Sequence, residues 1–284
     1  MNHSRTCTAE DGRTVTWAEY GDPQGVPVLF CHGTPGGRLV AAHSHDSYLR
    51  QGLRVLSPDR PGYGGTDPLP GRSVRDAAPD ALAVLDACGV RDAFVVGGSG
   101  GGPHALAVAV AAPDRIRAVG VFVGAAPLLG AERDGQVAIN QAVMDRLDQP
   151  GELRDLLDRM RTTLREEGLA SLLTDAPESD REQWARHAAA RQQSLQEALD
   201  PGIEGMFDDY QAIFGGAWGF DPEQVAVPVV WAHGDQDRNV PASAARRIAA
   251  RIPRCRFIGW ADVGHSPGPE LVAEFYTALL AGVC

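Results

Sequence analysis

The sequence predicts an α/β fold, a mostly parallel central sheet with flanking helices, interrupted by an inserted all-helical segment. Three observations carry that reading. Short, unbroken apolar runs alternate with helical stretches up to about Val123 and again after Gln224, which is how strands buried on both faces and joined by helical crossovers look in sequence. Between those two regions no such run occurs. Charge marks the same boundary: residues 131–224 hold 9 Arg against 20 Asp plus Glu, a net of −11 that equals the formal charge of the whole chain.

The elements follow in order. TVTWAEY (residues 14–20), PVLFC (27–31) and LRVLS (53–57) read as strands rich in β-branched and aromatic residues. A helix is expected near Leu39–Gln51 and another near Val74–Cys88. Then come the strand AFVVG (93–97), a helix over Pro103–Ala111 and the strand AVGVFVG (118–124). From Leu128 to Gln224, stretches such as MDRLDQPGELRDLLDRMRTTLREEG place apolar residues at helical spacing among charges. The strand PVVWAHG (228–234), a helix over Pro241–Arg251, the strand CRFIGW (255–260) and a closing helix over Pro269–Leu280 resume the α/β rhythm. This divides the chain into a core of residues 1–127 and 225–284 and a helical insertion of residues 128–224.

With 284 residues, 44% of them hydrophobic, the chain can bury a large core. A net charge of −11 argues against a nucleic-acid partner, since phosphates call for a basic surface. All 26 basic residues are Arg; alongside abundant Ala, Gly and Pro this reads as the coding bias of a GC-rich genome. MNHSRTCTAE lacks the apolar segment of a signal peptide, and the most apolar stretch, Val119–Leu129, is too short and too broken by Gly and Pro to span a bilayer. Cys7, Cys31, Cys88, Cys255 and Cys284 are odd in number and show no metal-ligand spacing. Reduced thiols, a cytoplasmic setting, no membrane partner and no metal or other cofactor are therefore expected. Oligomeric state is not encoded in any pattern.

The chemistry is announced by VVGGSGGGP, residues 95–103, with five glycines around Ser99. Gly97-Gly98-Ser99-Gly100-Gly101 fits G-x-S-x-G between a strand and a helix, where a sharp turn exposes a serine hydroxyl over the sheet edge. A phosphate loop would need a Lys, and the chain has none. A serine hydroxyl needs a base to take its proton, and the base needs an orienting acid. Downstream, WAHGDQDRNVP ends one strand with two carboxylates, Asp235 and Asp237, and GWADVGHSP ends the next with His265.

Together these stretches resemble the α/β-hydrolase superfamily along nearly the whole chain. The matching motifs are the loop Cys31-His32-Gly33-Thr34-Pro35-Gly36-Gly37, the loop Asp59-Arg60-Pro61-Gly62-Tyr63-Gly64, the serine elbow, the acid loop Gly234–Pro241 and Gly264-His265. The resemblance implies a triad of Ser99 as nucleophile, His265 as base and Asp237 as acid, with Asp235 the competing carboxylate. It implies backbone N–H donors at Thr34 and Gly100 for the oxyanion. The insertion is similar to the helical cap that follows the sixth strand in this superfamily.

Other residues carry structural readings first. His32 is expected to brace its turn, His104 to pack in the elbow helix, and His43 and His45 to be partly exposed helix residues. Cys31 reads as a small core residue. Phe214 and Trp218, where the insertion returns to the core, are substrate-pocket candidates.

Ser99 at the elbow, where haloalkane dehalogenases and epoxide hydrolases of this fold carry Asp, implies an acyl-enzyme route on a small apolar ester or lactone, with no cofactor. Two alternatives stay open. HGTPGG, GGSGGG and the acidic insertion are loosely similar to prolyl-type aminopeptidases, whose cap acids hold an amino group. The same scaffold also serves as a ligand receptor or a non-hydrolytic natural-product enzyme.

Overall fold

The computed structural model describes residues 4–172 and 174–282. Cys284 and the first three residues lie outside them, so the expectations for that thiol and for the extreme N-terminus are not addressed by the structure. Eight strands form one sheet: β1 Arg5–Thr8, β2 Thr14–Gly21, β3 Val26–Cys31, β4 Leu53–Pro58, β5 Ala93–Gly98, β6 Ile116–Phe122, β7 Val229–Gly234 and β8 Cys255–Trp260. Their spatial order is β1-β2-β4-β3-β5-β6-β7-β8. The β1–β2 and β2–β4 pairs are antiparallel and all others parallel. β1 is the strand that the sequence left unmarked, four residues with an exposed edge and no apolar run.

Side-chain alternation makes the sheet a divider between two cores. Val95, Val119, Val229 and Trp231 face helices Ala78–Ala87, Gly101–Ala111 and Ala242–Ala249. Phe94, Val96, Val230 and Ala232 face Tyr48, Phe275, Tyr276 and Leu279, of helices His45–Arg50 and Pro269–Ala281. The expected helix near Leu39–Gln51 is a 3₁₀ segment, Arg38–Ser44, leading into the short α-helix His45–Arg50.

All the elements between β6 and β7 are helical. In helix Pro150–Glu166 the buried residues Leu153, Leu157, Met160 and Leu164 recur every three or four positions, and they join the same apolar cluster as the sheet. The insertion thus packs as a continuation of the core. Among the described residues no helix is long and apolar enough to cross a membrane.

Parallel pairing decides what meets at the C-terminal edge. β3 and β5 are neighbours, with Cys31 opposite Gly97, so the loops after them emerge side by side. β7 and β8 are neighbours, with Gly234 opposite Trp260, which does the same for the acid and histidine loops. Strand order reverses at β3, which has β4 on one side and β5 on the other; such a reversal opens a crevice at the strand ends.

Candidate active site

Ser99 sits at φ +52°, in the left-handed region that non-glycine residues rarely occupy. The surrounding backbone enforces it: the Ser99 N–H donates to the Phe122 carbonyl at 3.2 Å, and its carbonyl accepts from Gly102 and Ala125 N–H, each at 2.9 Å. The glycines make the turn possible, because a Cβ on Gly97 would collide with the Gly101 carbonyl oxygen and one on Gly101 with that of Cys31. Val123, the residue after β6, is also left-handed, with φ +44°. For a β-branched residue that is a strained conformation, and Val123 lines the same cavity as Ser99.

A continuous hydrogen-bond chain runs from the elbow to the acid loop. Ser99 Oγ lies 2.9 Å from His265 Nε2, and His265 Nδ1 lies 2.8 Å from Asp237 Oδ2. The carboxylate accepts the Nδ1 proton, leaving Nε2 free to accept from the hydroxyl. Asp237 Oδ1 accepts from the N–H groups of Asn239 and Val240, both at 2.8 Å. His233 Nε2, which donates to the Val240 carbonyl at 2.9 Å, also lies 3.2 Å from Asp237 Oδ2. Burial alone would push the Asp237 carboxyl up, but His265 beside it and the hydrogen bonds from His233 and His265 hold it well below the usual carboxylate range. Burial opposes charge on His265, yet Asp237 and Asp180 together raise its pKa. Asp235 is not in this chain: its Oδ1 accepts from the Asp262 N–H at 2.9 Å and pins the following loop.

Thr34 and Gly100 lie against each other, since a Cβ built on Gly100 would stand 3.1 Å from Thr34 N. Among the described residues neither N–H has a hydrogen-bond partner. Free N–H groups in this position are able to hydrogen-bond to a negatively charged oxygen.

Behind this pair lies a buried network that sequence reasoning missed. Asp209, from helix Glu204–Phe214, accepts from Thr34 Oγ1 at 2.5 Å and from Tyr63 Oη at 3.0 Å. It pairs with Arg60 at 2.5 Å and with Arg72 at 2.6 Å. Burial opposes its charge, but the two guanidinium groups hold its carboxyl well below the ordinary range. Arg60 also donates to the carbonyls of His32 and Gly33. His32 braces its turn as expected, with Nδ1 donating to the Gly33 carbonyl at 2.8 Å and Nε2 accepting from the Arg60 N–H at 3.0 Å.

His104 does more than pack. Its Nδ1 donates to the Gly100 carbonyl at 2.8 Å, and burial together with the Arg60 cation pushes its pKa down to about 3, so the ring is neutral.

Asp180 was missed as well. From helix Glu178–Ala185 its two oxygens accept from the N–H groups of His265 at 3.0 Å and Ser266 at 2.7 Å. Trp184, one turn on, donates from Nε1 to Ser266 Oγ at 2.6 Å. The available signal was an acid on an apolar helix face: Asp209 falls between Met206 and Ile213, and Asp180 one turn before Trp184, all of them buried.

Ser99, His265, Thr34 and Gly100 open onto a cavity of about 950 Å³ lined by Met144, Met160, Leu164 and Phe214. Trp218 corrects an expectation: it does not line the cavity but packs against Phe220, 5.5 Å between ring centroids, with its Nε1 donating to the Ile213 carbonyl. Its indole is used up in closing the insertion onto the core. His43 lines the cavity, whereas His45 accepts from the Gly21 N–H at 3.1 Å. Burial pushes the Cys31 thiol up to about 12, which leaves it protonated and inert. Among the described residues no cluster of His, Cys, Asp or Glu could hold a metal ion.

A family model for the alpha/beta hydrolase fold matches residues 26–270. The chain is 29% identical to a non-heme chloroperoxidase of Streptomyces lividans, over 94% of this chain and 96% of that one. It is 30% identical to a pimeloyl-[acyl-carrier protein] methyl ester esterase of Aromatoleum aromaticum, over 78% of this chain and 83% of the other. Among solved structures, a thermophilic esterase from Thermogutta terrifontis superposes with a TM-score of 0.68 at 21% identity, covering 99% of this chain and 98% of that one. The chain therefore belongs to the alpha/beta hydrolase fold family, and it is a hydrolase.

Proposed function

We propose that the protein is a serine hydrolase that opens a small carboxylic ester or lactone through an acyl-enzyme. Ser99 is the nucleophile, His265 the general base and then the general acid, and Asp237 the acid that orients it. The N–H groups of Thr34 and Gly100 receive the oxyanion, and residues 128–224 form a cap over the cavity. The observation that carries this reading is the chain Ser99 Oγ–His265–Asp237, at 2.9 and 2.8 Å.

The steps follow from that geometry. His265 Nε2 takes the Ser99 proton as Oγ attacks the carbonyl carbon; the imidazolium is stabilised by Asp237 and returns the proton to the leaving alcohol. Water deprotonated by the same nitrogen then releases the acid. Free thiols at Cys7, Cys31, Cys88 and Cys255 support a reducing, cytoplasmic setting.

A fluorophosphonate probe should label Ser99, and the protein should turn over p-nitrophenyl acyl esters. A folded protein that does neither, against a panel of esters, lactones and aminoacyl amides, would refute the reading.

A further inference from the structure

We propose that Arg191 selects substrates whose far end, beyond the scissile ester, carries a carboxylate; this rests on the acyl-enzyme reading above. Arg191 lies on helix Ala188–Ala198 and lines the same cavity as Ser99 and His265. Its Nε is buried, and the guanidinium has no hydrogen-bond or ion-pair partner among the described residues. Burial lowers its pKa, with no neighbouring anion to offset that.

The surroundings sharpen the point. Arg38, the other Arg lining the cavity, is matched by Asp59 and Glu197. The His43 ring, near Arg191, is itself neutral, since burial and the Arg191 cation push its pKa down to about 4. Acids outnumber Arg by 20 to 9 in residues 131–224, yet none is set against this cation. Arg191 is half-buried, with Nε shut off from water and its terminal nitrogens left free, and a planar guanidinium offers a carboxylate two parallel hydrogen bonds. The wall of the same cavity includes Met144, Met160 and Leu164, so the fitting substrate is an ester with an apolar chain ending in a carboxylate. Glu197 is the competing feature: its Oε2 is buried without a partner, although Arg38 matches its charge.

The test separates binding from turnover. Ser99→Ala protein is titrated calorimetrically with monomethyl adipate, dimethyl adipate and the methyl ester of an ω-amino acid of equal length. The half-ester should bind about tenfold or more tightly than the diester, as expected for a charge-assisted pair, and Arg191→Gln in the same background should abolish the preference. Arg191→Gln alone should melt near the wild-type temperature, because the guanidinium makes no hydrogen bond or ion pair among the described residues. Equal binding of all three, a preference for the amino ester, or a preference that survives Arg191→Gln would overturn the assignment. Wild-type kcat/KM on the same esters reads the other claim. Selective binding without any turnover would sink the acyl-enzyme reading and leave this one standing, whereas turnover without selectivity would do the reverse.

Discussion

Replacing Asp209 by Asn changes no shape and removes one charge, which makes it a sharp test of how the loop bearing Thr34, the proposed oxyanion donor, is held. Asp209 is fully buried and faces Arg60 at 2.5 Å, Arg72 at 2.6 Å and Thr34 Oγ1 at 2.5 Å. Without it two buried guanidinium groups are left with no counter-charge, a loss that costs about 3–5 kcal/mol. At about 2–4 °C per kcal/mol for domains approaching this size, Asp209→Asn should melt at least about 6 °C lower. Catalysis should fall too, because Thr34 loses its anchor, and a displacement of about 1 Å can cost on the order of 10²-fold in rate. The loss should appear in kcat on a p-nitrophenyl ester more than in KM, since an oxyanion donor acts in the transition state. Scanning calorimetry and steady-state kinetics read the two effects, and a double-mutant cycle with Arg72→Met should return a coupling of about 0.5–3 kcal/mol. A variant with wild-type melting temperature and kcat would refute the argument.

Three further outcomes are expected. Ser99→Ala should lower hydrolysis by about three orders of magnitude or more, because triad members act as a unit, and fluorophosphonate labelling should vanish with it. Asp237→Asn should cost on the order of 10³- to 10⁴-fold in kcat by disturbing the imidazole tautomer, while Asp235→Asn, which touches only the Asp262 N–H, should stay within a few-fold; the reverse pattern in kinetics would move the acid. In the pH profile of kcat/KM the acid limb should lie above 6.5, because Asp237 and Asp180 raise the His265 pKa and only the neutral ring accepts the serine proton. Asp180→Asn should move that limb to lower pH, and an unmoved limb would show that Asp180 does not act on the imidazole.

Why some of this was legible in the sequence and some was not has a physical basis. Buried parallel strands must be apolar on both faces, so AFVVG and PVVWAHG could be recognised locally, and chain order then assigned Ser99, Asp237 and His265 to loops at one sheet edge. The choice of Asp237 over Asp235 came from motif register, and in the structure Asp237 is the carboxylate that meets His265 Nδ1. Residues 128–224 resisted because helix–helix packing is set by contacts distant in sequence. Asp209 lies 175 positions from Thr34 and Asp180 lies 85 from His265, so neither pairing leaves a local pattern. The position of Trp218 where the insertion returns to the core makes it a pocket candidate. Its N–H found a backbone carbonyl five residues away instead, a partner that periodicity does not reveal.

The two missed acids change what the helical insertion does. Asp180 holds the backbone of the histidine loop and Asp209 accepts from the side chain of Thr34, the proposed oxyanion donor. These attachments lie on different helices, Glu178–Ala185 and Glu204–Phe214, and reach different loops at the sheet edge. Lifting the whole insertion from the sheet would therefore uncover the cavity and at the same time release both the His265 loop and the Thr34 side chain. If the proposed roles hold, Arg191 on Ala188–Ala198 and the two acids on Glu178–Ala185 and Glu204–Phe214 divide substrate recognition from catalytic alignment among separate helices of one insertion, so the first can vary without dismantling the second.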